Sequence, residues 1–126
     1  MPLDPALVAE VRGWLSKARK DLATAEYELR ADPPFADDIV FHSQQAAEKS
    51  LKAFLSWHRI PFRKTHNLVE LGESCCHIDQ ALEPLLRRAA PLTEYAWKFR
   101  YPGEPEDQEQ RRPLRLWFWP ERFWMR

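Results

Sequence analysis

Glycine is scarce in this 126-residue chain, which holds three. So few leave little with which to build a phosphate-cradling glycine loop, and no nucleophile motif of a hydrolase triad is present either. Cysteine is scarcer still: Cys75 and Cys76 are adjacent, and chain neighbours rarely meet disulfide geometry with each other. With no disulfide framework and no CxxC spacing, a reducing cytoplasmic home is expected. His42, His58 and His77 stand at no metal-ligand spacing to cysteine or carboxylate, so neither zinc nor any other cofactor is expected. Long apolar runs are missing: nothing approaches the ~20 residues of a membrane helix, and the opening MPLDP lacks a basic region followed by an apolar one. No membrane association is expected. An excess of one charge is also missing, with 19 basic against 19 acidic residues, which argues against holding nucleic acid by bulk electrostatics alone.

What is present suits a single helical domain. A chain of 15.0 kDa with 44% hydrophobic and 30% charged residues has the composition of a globular protein and is long enough for one core. Asp4 before Pro5 reads as a helix start. Val8, Val11, Leu15, Ala18, Leu22, Ala25 and Leu29 then recur at spacings of three and four, a heptad stripe that predicts a long bundle helix ending at Asp32-Pro33-Pro34. Asp37 or Asp38 is positioned to cap a second helix running to about Arg59, with Ile60 and Pro61 closing it. Two long helices joined by a few residues make an antiparallel hairpin. Thr65 reads as the cap of a shorter third helix and Asp79 as the opening of a fourth, which Pro91 should kink or split. Strand signals are absent up to Gly103.

After Gly103 the character changes. Residues 104–110 are acidic and polar, and residues 111–126 hold five arginines against Glu121, a net +4 that leaves the first 110 residues at −4. Trp117, Phe118, Trp119, Phe123 and Trp124 crowd this tail. So apolar a window is expected to dock on its own bundle, on a dimer mate or on a partner. The domain reading is therefore a helical bundle over 1–103 and a linker with an aromatic, Arg-rich tail over 104–126.

The most informative stretch is FHSQQAAEKSLKAFL, Phe41 to Leu55. At 100° per residue His42, Gln45, Lys49 and Lys52 share one strip, with Gln44, Glu48 and Lys52 on its border. Glu48 precedes Lys52 by four residues, a favourable ion-pair order that contributes only ~0.2–0.5 kcal/mol on an exposed helix. Such a cluster is either a solvated face or a donor-rich surface for phosphate or a partner protein. His66, at a helix start, is either structural or an anion ligand beside free amides.

These pieces, in this order, resemble the HEPN domain (higher eukaryotes and prokaryotes nucleotide-binding). The residues that carry the likeness are WLSKARKDLATAE (Trp14 to Glu26), FHSQQAAEKSLKAFL, THNLVEL (Thr65 to Leu71) and LTEYAWKFRYPG (Leu92 to Gly103). The resemblance implies an all-α fold, an antiparallel four- or five-helix up-and-down bundle, commonly a homodimer and often encoded beside a minimal nucleotidyltransferase as a toxin–antitoxin pair. It also implies a test for ribonuclease activity. Catalytic members carry an arginine followed four to six residues later by a histidine, late in the bundle. Arg87, Arg88 and Arg100 have no histidine after them, because His77 is the last in the chain.

The expectation is therefore a non-catalytic binding module for nucleotide, RNA phosphate or a protein partner. Gln44, Gln45, Glu48, Lys49, Lys52 and His66 would supply the polar groups, with Arg100 and Tyr101 as neighbours. One alternative is an endoribonuclease using Arg59 and His66, which flank the loop between the second and third helices. Another is a structural bundle that recruits a partner through its aromatic tail.

Overall fold

A computed structural model of the chain describes residues 3–94, and every regular element within them is helical. Helix α1 spans Pro5–Leu29, α2 Ala36–Trp57, α3 Leu68–Ile78 and α4 Glu83–Ala89, with a single 3₁₀ turn at Gln80–Leu82 leading into α4. The all-α expectation holds.

The local chemistry accounts for the helix ends. The Asp4 side chain accepts from the Ala6 amide, and Pro5 occupies the first helical position where its missing N–H costs nothing. Helix α2 begins one step before the expected caps: Phe35 is its N-terminal boundary, and Asp37 and Asp38 lie in the first turn, favourable for carboxylates beside free amides. Helix α3 corrects another expectation. Asn67, not Thr65, caps it, accepting from the Val69 and Glu70 amides, while Thr65 Oγ1 accepts from the Asn67 amide. Asp79 accepts from Ala81 and opens the 3₁₀ turn. Helix α4 stops before Pro91, and helical backbone resumes over 91–94, the split that a proline without an N–H imposes.

Helix α2 closes with a left-handed residue. Arg59 has φ 57°, its amide donates to the Ser56 carbonyl, and the Ile60 amide reaches back to Leu55. This pair of bonds is the Schellman arrangement usually built on glycine.

Helix α1 packs chiefly on α2, and here the heptad expectation needs correcting. Leu15, Leu22 and Leu29 are exposed, at 37%, 51% and 60%. The face turned inward consists of Leu7, Val11, Trp14, Ala18, Asp21, Ala25 and Glu28, of which Ala18 and Ala25 are fully buried. The seam uses the residues one position N-terminal to the leucines. The physical reason is charge: Lys49 reaches Asp21, and His42 Nδ1 lies 3.0 Å from Glu28. Both pairs are partly shielded from water, so a rotation that buried the leucines would separate four polar groups from their partners. The apolar core lies elsewhere, where Leu55, Leu71, Cys75, Cys76, Leu86 and Ala90 meet, with Leu51, Phe54 and Phe62 packed against them.

Candidate functional site

Helix α2 carries a file of buried polar residues at intervals of four: Gln44, Glu48, Lys52 and Ser56. The interval keeps them close to one face, turned away from water. A buried polar group without a partner costs about 1–3 kcal/mol, more when charged, and the chain supplies partners for each. Glu48, 2% exposed, is the hub. Its Oε2 accepts from Lys52 Nζ at 3.1 Å, and its Oε1 meets His66 Nδ1 at 2.8 Å and, more weakly, Gln44 Nε2 at 3.4 Å. Gln44 Nε2 also donates to the His66 carbonyl at 2.9 Å, which ties the loop before α3 to α2. Gln45 Nε2 donates in turn to Gln44 Oε1.

Lys52 completes the arrangement from its other side. Its ammonium lies 5.3 Å from the Trp14 ring centroid and 5.9 Å from that of Phe62, and the two rings meet edge to face. The cation is thus held between a carboxylate and two π faces, which compensates its desolvation.

The member of the network most open to water is His66, whose side chain is 65% exposed. In a neutral imidazole, an Nδ1–H donated to Glu48 leaves Nε2 with its lone pair. The buried acid therefore fixes the orientation of the imidazole. The free amides expected beside His66 are not free in the structure. His66 precedes the Asn67 cap, and the first amides of α3 are already engaged by Asn67 Oδ1 and Thr93 Oγ1.

The remaining sequence-selected residues sort by position. Lys49 and His42 face α1 and pair with Asp21 and Glu28. Arg59 lies at the other end of the hairpin, 3.8 Å from Asp4, and lines an open cleft of about 580 Å³ with Glu10, Trp14, Ser56 and Phe62. His66 does not line that cleft, and the structure pairs Arg59 and His66 with different acids. Arg100 and Tyr101, like residues 104–126, lie outside the described residues.

Sequence reasoning missed Trp14, Phe62, Asp21 and Glu28. The acids were readable in principle, since Asp21 and Glu28 are seven apart on α1, as are His42 and Lys49 on α2, which pairs them in antiparallel register. Trp14 and Phe62 left no such signal, because a cation between two rings depends on how α1 and the loop after α2 meet.

Among the described residues no three of His, Cys, Asp and Glu stand close enough to hold a metal ion, and no helix is long and apolar enough to cross a membrane. No curated protein and no solved structure matches the chain. The family model of the HEPN domain does match, over residues 11–114. That span includes α1 from its second turn, the polar file of α2, the His66 loop and both later helices, so the chain belongs to the HEPN domain family.

Proposed function

We propose that this HEPN protein is a dimeric binding module that works with a minimal nucleotidyltransferase in a toxin–antitoxin-like system and contacts nucleotide or RNA phosphate. The family match supports the nucleotide-binding class. The observation that carries the non-catalytic reading is that no histidine follows His77, so the late arginine–histidine pair of the family's ribonucleases is missing. Transesterification through a 2′-hydroxyl needs a group to take the proton and a cation to stabilise the charge that develops. In this reading the buried network holds the His66 edge in place as a polar contact, with Arg100 and Tyr101 among the groups that meet the ligand and Lys49 joining them by exchanging its Asp21 partner for the ligand. The test is a titration of nucleotide and of short RNA against the protein and its Lys49→Ala/Arg100→Ala variant. A loss of affinity of ten-fold or more with unchanged helical circular dichroism is expected; equal affinity removes these residues from the site.

One observation favours a second reading, an endoribonuclease that uses His66. The carboxylate of Glu48 orients the imidazole through Nδ1, and in the neutral ring that leaves Nε2 as the acceptor that a general base requires. Incubation of RNA with the protein in chelator separates the two. Intact RNA is expected for the binding module, whereas cleavage that disappears in His66→Ala would establish the enzyme.

A further inference from the structure

The cleft at the open end of the α1–α2 hairpin has a definite chemistry. Its wall is apolar and aromatic, with Trp14 and Phe62 among its members, and its rim carries two carboxylates, Asp4 and Glu10, against one guanidinium, Arg59. Asp4 already caps α1 and faces Arg59, and Glu10 Oε1 accepts a 3.3 Å bond from the Ser56 hydroxyl. Among the described residues Glu10 has no cation opposite it, and it remains exposed. A site of this kind suits a group with an apolar body and a positive end, and disfavours a free phosphate.

We propose that the Arg-rich aromatic tail of the same chain, residues 113–126, occupies this cleft, setting a guanidinium against Glu10 and an aromatic ring against the Trp14–Phe62 wall. Sign complementarity supports this occupant. The rim has two acids and one base; PLRLWFWPERFWMR has three arginines and one glutamate, with an aromatic residue flanking each of the last two arginines or standing within two positions of them. Arginine suits the role because its planar guanidinium pairs with carboxylate and stacks on aromatic faces at once. Reach is sufficient: the 19 residues from Glu94 to Pro113 extend up to about 60 Å, against about 38 Å for a 25-residue helix such as α1.

The limits of the family match point the same way. Asp4 and Glu10 precede residue 11 and residues 115–126 follow residue 114, so the charged groups of the contact fall outside the span shared with the family, whereas the Trp14–Phe62 wall lies within it. The contact does not rest on the nucleotide-binding reading.

Trypsin provides the test on the full chain. Arg115 and Arg122 are followed by leucine and phenylalanine and are ordinary cleavage sites, whereas Arg112 is shielded by Pro113. Cleavage after Arg115 and Arg122, timed by mass spectrometry, is compared between the native chain and Asp4→Asn/Glu10→Gln. Asparagine keeps the cap of α1 and Glu10 is exposed, so an unchanged thermal melt will confirm that the variant folds. The variant is expected to be cut at least ten-fold faster, and high salt should move the native chain toward the same rate. Equal rates in the two proteins would overturn the proposal. So would protection that grows with protein concentration, because the tail would then sit in a second copy.

Discussion

Glu48 is the residue on which the buried polar file of α2 converges, and its worth depends on burial. On a solvated helix the Glu48–Lys52 pair would contribute a few tenths of a kcal/mol. With both side chains nearly excluded from water, removal of one partner leaves the other charge uncompensated, a loss of about 3–5 kcal/mol. Glu48→Ala should therefore shift the urea midpoint far more than Glu70→Ala. Glu70 makes a two-bond clasp with Arg63 on the surface, where solvent screens the charges and such pairs add little. The double replacement Glu48→Leu/Lys52→Met should recover most of the loss, since an apolar pair of similar volume removes both desolvation costs. Failure of the double variant to recover would mean that the His66 and Gln44 bonds, not the ion pair, hold the loop.

At the scale of the element, α1 shows how electrostatic partners select a helix face. The leucines at 15, 22 and 29 form the more hydrophobic stripe, yet Asp21 and Glu28 turn inward with the alanines. Two consequences can be measured by chemical denaturation. Leu22→Ala should change stability by less than about 0.5 kcal/mol within the described bundle, as surface substitutions do. Ala25→Leu should cost about 1–3 kcal/mol by overpacking the close approach of α1 to α2. The reverse outcome would place the leucine stripe in the seam after all. Ala46 and Ala53 of α2 are buried small residues that permit close helix approach, whereas Ser50 between them is exposed. The face that α1 turns toward them was not legible, because periodicity ranks faces by hydrophobicity and assigns no weight to charges that find partners only across the interface.

For the whole molecule, the pH dependence of stability reports on the core shared by α2, α3 and α4. Burial, with the neighbouring Cys76 charge as a lesser cause, pushes the Cys75 thiol from its ordinary 9.0 to about 12. Burial, and then the charges of Glu83, Asp79 and Glu73, pushes Cys76 to about 11. Each folded-state value is raised, so the native state holds protons that the unfolded chain releases. The stabilisation is complete below pH 9 and is lost as pH rises through the folded values. Denaturation midpoints should thus decline between about pH 9 and pH 12 more steeply in the native chain than in Cys75→Ala/Cys76→Ala, once each series is referred to its own value at pH 7. Thiol reagents at pH 8 should label the native chain only as fast as it opens, since a buried neutral thiol is a poor nucleophile.

Taken by itself, the sequence determined the helical class, the long hairpin, the break at Pro91 and the family, since these rest on local signals: apolar periodicity, caps, proline stops and the order of short segments. It also marked Gln44, Glu48, Lys49 and Lys52 as a group that demanded an explanation. Only the tertiary structure decided which of them are buried together, that Asn67 rather than Thr65 begins α3, that His66 leans on Glu48 while Arg59 lies beside Asp4, and that two aromatic rings enclose Lys52. Those outcomes depend on the rotation of one helix against another and on the path of the loop at 58–67. Both are set by contacts between residues far apart in the chain, whose energies no local pattern contains.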